Sequence, residues 1–188
     1  TLFKCLLSEV SEKYIDDCNS KKIDPDPRRI LGMTGEEILS LFYSNVIYKK
    51  NDFGWAFKED LSFFKGKILN YDFLDSKNGK ILVSKGTKVN QKILNDLKKK
   101  NISTINISEE SLIGFFLSSD IIDEKTGKIY FEAGYEIDDI FLEFLNESKI
   151  NKIDLLKADN VEIGSYIRNT LQLDKARSRE EALFEVFK

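Results

Sequence analysis

The sequence predicts an α+β protein in which two tandem strand-strand-helix-strand pseudo-repeats are inserted between mainly helical segments. Three observations carry that expectation. Sliding the 188-residue sequence against itself by 48 positions lays residues 64–107 on 112–155 without a gap. Thirteen of the 44 aligned pairs are identical, among them Gly66/Gly114, Leu69/Leu117, Asp72/Asp120, Asp75/Asp123, Gly79/Gly127, Gly86/Gly134 and Leu97/Leu145. Six of the ten glycines therefore fall in register, and glycine positions mark backbone geometry rather than composition.

Taken in order, residues 1–20 carry Leu2, Phe3, Leu6, Leu7, Val10, Tyr14 and Ile15 at helical spacing, which predicts one amphipathic helix. Asp24-Pro25-Asp26-Pro27 ends it, because each proline lacks a donor and pushes its predecessor into extended geometry. Thr34 followed three residues later by Glu37 is a capping box, and Ile38, Leu41 and Phe42 supply the buried stripe of a short helix. Val46-Ile47-Tyr48 reads as a strand and Asn51-Asp52-Phe53-Gly54 as a turn.

Each repeat then has the same plan. A strand over 68–74 or 116–122 enters a turn at Asn78-Gly79 or Thr126-Gly127, and a second strand follows over 80–84 or 128–132. Gly86 or Gly134 reverses the chain into a helix capped by Asn90 or Asp138. That helix buries Ile93, Leu94 and Leu97, or Phe141, Leu142 and Leu145. A strand over 102–107 or 150–155 closes the unit, and two such units would pack face to face or share one curled sheet. The expected segments are thus 1–28, 29–63, 64–107, 112–155 and 156–188.

Composition removes several chemistries. There is no histidine, which excludes Ser-His-Asp and Cys-His nucleophiles, His-zinc sites and a histidine base. The two cysteines, Cys5 and Cys18, are too few for a zinc ribbon or a disulfide framework. The apolar run Leu112 to Leu117 is far shorter than the roughly 20 residues needed to span a bilayer. The first residue is Thr1 and no basic-then-apolar leader follows, so a piece of a cytoplasmic protein, with no membrane contact, is expected. There is no GxxxxGK[ST] loop and no GxGxxG.

Net charge is -3, which argues against binding nucleic acid by bulk electrostatics, but the charge is unevenly placed. Residues 65–100 hold ten lysines against Asp72, Asp75 and Asp96, whereas 109–147 hold eleven acids against two lysines. Either the basic copy faces a polyanion and the acidic copy a basic partner, or both are solvated faces that attract each other.

Four motifs occur in a fixed order. They are Leu31-Gly32-Met33-Thr34-x-Glu36-Glu37-Ile38-Leu39-x-x-Phe42-Tyr43, Gly79-Lys80-Ile81-x-Val83-x-Lys85-Gly86, Asp120-Ile121-Ile122-Asp123-Glu124-x-Thr126-Gly127-Lys128-Ile129, and Tyr166-Ile167-x-x-Thr170-Leu171-x-x-Asp174. In that order and spacing, residues 29–188 resemble the bacterial RNA polymerase beta subunit, specifically its lobe with the lineage-specific insertion of proteobacterial versions. Residues 1–27 match nothing in that family, and Glu59 to Gly66 replaces an arginine-bearing segment.

The resemblance implies a fragment of a nucleotidyltransferase that has no active site of its own, needs no cofactor, and leaves Mg2+ to the beta-prime subunit. It implies beta-prime, alpha, omega and sigma as partners, DNA in the assembled enzyme, and a monomeric isolated chain. A free-standing cytosolic protein-interaction module built on the same repeat is the alternative. Asp72, Asp75, Asp120 and Asp123 stand beside turns, where carboxylates bond backbone amides more readily than metals. The candidate phosphate contacts are Lys98, Lys99 and Lys100 at a helix end, and Arg168, Arg177 and Arg179 in the segment that by resemblance borders the DNA channel. Ordinary surface pairing with Glu180 or Glu181 is the competing role for those arginines. Phe63, Phe64, Phe115, Phe116 and Phe131 are expected in the core rather than on a base-stacking platform.

Overall fold

A computed structural model describes residues 1–123, 125–158 and 164–188. The chain divides into two compact units, one of residues 1–44, 118–134 and 158–188, the other of residues 45–117 and 135–157. No described helix is long and apolar enough to cross a membrane.

The second unit is built on a six-stranded sheet. Its strands are β1 (Asn45–Asn51), β2 (Gly54–Phe57), β3 (Phe73–Asp75), β4 (Ile81–Val83), β5 (Ile105–Ile107) and, later in the chain, β8 (Lys152–Leu156), in the order β4-β3-β5-β2-β1-β8. Every pairing is antiparallel. β2 was not expected. It is only four residues long, yet its alternation buries Trp55 and Phe57 on one face, as a pleated strand must. Tyr48 stacks on Phe57 with ring centroids 4.9 Å apart, and Phe57, Phe64 and Phe73 form an edge-to-face cluster. Phe64 is thus a core residue, while Phe63, Phe115, Phe116 and Phe131 are half-buried.

The helices α4 (Gln91–Lys99) and α5 (Asp139–Glu147) are offset by 48 residues, as are the two 3-10 turns Leu61–Phe64 and Glu109–Leu112. The duplication therefore begins a little before residue 64. Asn90 and Asp138 cap the helices as expected, accepting from the amides of Ile93 and Phe141. The kernel is also shared: Leu69/Leu117, Val89/Ile137, Leu97/Leu145, Ile105/Ile153 and Ile107/Leu155 are all buried. The strands are shorter than expected, because the chain at Ile68 and Phe116 makes a single bridge before turning away.

The other unit holds α1 (Leu2–Cys5), α2 (Glu9–Lys21), α3 (Gly35–Phe42), the two-stranded hairpin β6 (Ile121–Ile122) and β7 (Ile129–Phe131), α6 (Tyr166–Leu173) and α7 (Arg179–Phe187). The single helix expected over 1–20 is broken. Leu6 to Ser8 run extended against 31–33, with the Ser8 amide donating to Leu31 O and the Met33 amide to Leu6 O, and Ser8 caps α2. The apolar stripe read across that break consequently fails to form one buried face: Leu2 and Val10 are each 71% exposed. The capping box is present, and the Glu37 carboxylate accepts from the Thr34 amide at 2.7 Å and also from the Glu9 amide at 2.8 Å, which ties the starts of α2 and α3 together.

Candidate nucleic-acid interface

The turns that present the charged side chains repeat in backbone detail. Gly66 and Gly114 have φ of 82° and 85°, Gly79 and Gly127 67° and 69°, Gly86 and Gly134 81° and 83°. All lie in the left-handed region that an L side chain adopts only at a cost, so these positions call for glycine. Their hydrogen bonds match. The Gly66 amide donates to Val89 O at 2.8 Å and the Gly114 amide to Ile137 O at 2.9 Å, while the Gly79 and Gly127 amides donate to Asp75 O and Asp123 O.

The four aspartates singled out in the sequence are occupied by these turns. Asp72 accepts from the Lys85 amide and Asp120 from the Ala133 amide, 13 residues on in each case. Asp75 accepts from the Lys77 amide and Asn78 Nδ2, and Asp123 from the Lys125 amide and Thr126 Oγ1. Bonds from the Lys125 amide and then the Thr126 hydroxyl hold the Asp123 carboxyl below its ordinary pKa. Among the described residues no group of three His, Cys, Asp or Glu side chains converges to hold a metal ion. Each of these carboxylates is engaged by a turn donor, Asp75 and Asp123 through both oxygens, and without a converging set of ligands they do not fit a Mg2+ site.

The structure separates the six candidate phosphate contacts. Lys98, Lys99 and Lys100 are all exposed at the end of α4, where positive charge also complements the helix dipole. Lys98 lines a cleft of about 510 Å3 with Lys58, Asp60 and Ser103, and Asp60 lies below its ordinary pKa, mainly through the Ser62 amide and hydroxyl. Arg177 is 78% exposed and reaches Glu132 only at 3.9 Å. Arg179 donates from Nε to Cys5 O at 3.0 Å.

Arg168 is 7% exposed on α6. Its Nε donates to Gly134 O at 2.5 Å and Nη1 to Asn169 Oδ1 at 3.1 Å, with Gln172 Nε2 sharing Gly134 O at 3.1 Å.

The structure shows which lysines of the basic stretch 65–100 reach the surface. Lys65, Lys77, Lys80, Lys85, Lys88 and Lys92 of the first copy are exposed like Lys98 to Lys100, and none of these nine is ion-paired among the described residues.

Fold and charge together define a duplicated α+β module whose two copies share their glycine turns, helix and buried kernel and carry opposite charge. Its sequence is homologous to a stretch of the beta subunit of bacterial DNA-directed RNA polymerases. Subunits of that name from Brucella canis and Brucella melitensis are each 49% identical to it over 158 residues, 84% of this chain, and the one from Rhizobium rhizogenes is 39% identical over the same length. The chain spans about 12% of the Brucella subunits. No family model matches it. The homology favours a fragment of the beta subunit over a free-standing interaction module.

Proposed function

We propose that this chain is the lobe and duplicated insertion of a polymerase beta subunit, without catalytic chemistry of its own, helping to form the wall of the downstream DNA channel. The observation that carries this is 158 residues of homology to subunits of that name, running across the duplication. On this assignment the chain acts in the cytoplasm as part of a nucleotidyltransferase, assembles with beta-prime, alpha, omega and sigma, and leaves Mg2+ to the beta-prime subunit. Among its cations, the exposed Lys98, Lys99 and Lys100 of one unit and Arg177 of the other are suited to phosphate contact, and the half-buried Arg179 is a further candidate. Arg168, held by Gly134 O, is suited to positioning α6 instead.

The test is reconstitution of a core enzyme whose beta subunit carries this chain in place of its homologous stretch. Assembly with beta-prime and transcription at the level of the unreplaced control are expected. Failure to assemble, where the control assembles, would overturn the assignment.

A further inference from the structure

The duplication contains its own control for what the fold requires. Ten lysines stand in the first copy at positions 65, 67, 77, 80, 85, 88, 92, 98, 99 and 100. The residues 48 further on are Ile113, Phe115, Lys125, Lys128, Ala133, Glu136, Ile140, Asn146, Glu147 and Ser148. Only Lys77 and Lys80 recur, although the turns, helix and kernel around them coincide. A backbone that forms equally well with isoleucine, alanine or glutamate at these places does not need lysine there.

Nor are the lysines balanced locally. Asp72 and Asp75 accept backbone amides of the turns, and Asp96 is the remaining acid between residues 65 and 100. Nine of the lysines are exposed without an ion pair among the described residues. The short ladder of 66–69 with 86–89 turns Leu69 and Val89 inward and leaves Ile68 and Lys88, which face each other across it, exposed.

Concentrating about seven net positive charges on 36 residues of a chain with net charge -3 sets up a local field that a polyanion relieves by counterion release. Strand addition at the β4 edge is a weaker use of the same surface. That strand is three residues long, pairs with β3 through a bulge and is flanked by Lys80 and Lys85, features that blunt an edge against pairing.

We propose that the nine exposed lysines of the first repeat, from Lys65 through Lys100, bind the phosphates of duplex DNA without regard to its sequence. The choice of DNA among polyanions rests on the polymerase assignment above. Binding here is electrostatic and positions the duplex without reading its bases.

The test uses the full chain and a fluorescein-labelled 20-base-pair duplex, with anisotropy followed from about 20 to 200 mM salt. Weak binding is expected, with log K falling steeply against log salt, by about 0.9 for each phosphate neutralised. Lys99→Gln with Lys100→Gln, and separately Lys85→Gln with Lys88→Gln, should each weaken binding several-fold and flatten the slope by about 1 to 2. Lys13→Gln with Lys21→Gln on α2 removes the same charge from residues that already pair with Glu9 and Asp17, and should change little.

Circular dichroism establishes that each variant is folded. The proposal is overturned if the α2 variant loses as much as the first-repeat variants, if none loses binding, or if polyglutamate competes as well as unlabelled duplex, which would point to an acidic protein partner. None of these outcomes bears on assembly of the reconstituted core enzyme, so failure here and failure of the subunit assignment are separately visible.

Discussion

If the two copies bend for one physical reason, Gly66→Ala and Gly114→Ala must cost the same. Their φ values are 82° and 85°, and a Cβ built at either meets no heavy atom within 4 Å. Packing therefore drops out and only the left-handed backbone remains, at roughly 1–2 kcal/mol for an L residue. Alanine also restricts the unfolded chain, which returns about 0.4–1 kcal/mol. The net loss is about 1 kcal/mol at each site.

Urea unfolding followed by the fluorescence of Trp55 reads this out directly. Trp55 is the sole tryptophan, is fully buried and belongs to the same compact unit as both glycines. With a slope of about 2 kcal/mol per M, each midpoint should fall by roughly 0.5 M. Gly134→Ala, which lies in the other unit and is followed by circular dichroism, should cost more than either, because its Cβ would come within 3.2 Å of Leu39 Cδ1, and Leu39 is fully buried. A stabilising Gly114→Ala, or a difference of more than about 0.5 kcal/mol between Gly66→Ala and Gly114→Ala, would refute the common cause.

Two further predictions concern the kernel and the caps. Leu117→Ala removes a fully buried side chain whose residue bridges Leu155, and urea unfolding should show a loss of about 2–5 kcal/mol, with a loss under about 1 kcal/mol showing that the site collapses around the change. Asp138 lies below its ordinary pKa chiefly through the Phe141 amide, and Asp123 through the Lys125 amide. Because the folded pKa lies below the unfolded value of about 3.9, their contribution is complete above that pH and fades as pH falls through the folded values. Asp123→Asn with Asp138→Asn should therefore flatten the acid limb of a stability profile between about pH 5 and 2, and an unchanged limb would contradict the assignment.

What could be read from the sequence was what local backbone demands. Left-handed glycines, a capping box at Thr34 and Glu37, and helix caps at Asn90 and Asp138 each involve residues close in sequence, so their spacing carries the signal. Non-local pairing left no such trace. β2 is recognisable only beside its partners, since Trp55 and Phe57 offer two alternating positions, too few to establish a period. The break at Leu6 to Ser8 was hidden because its apolar spacing fits a helix, while the extended backbone there is held by Leu31 and Met33, more than 20 residues away. Arg168 illustrates the same limit at the candidate site. A lone arginine on a short helix reads as surface charge, and only the carbonyl of Gly134, 34 residues earlier, shows why it is buried.

That carbonyl also shows how a duplicated backbone acquires different duties. Gly86 and Gly134 have nearly the same φ, yet a Cβ at Gly86 would meet nothing within 4 Å, whereas Gly134 is buried against Leu39 of α3 and Arg168 of α6. Arg168 and Gln172 both donate to Gly134 O, so in the second copy the turn has become an anchor for a helix. The first copy leaves the corresponding turn exposed and sets Lys85 and Lys88 on either side of it. One conformation, required by glycine in both places, thus serves packing in one copy and charge display in the other. The divergence lies in side chains that the turn itself does not constrain, and for that reason the charges of the first copy call for an explanation outside the fold.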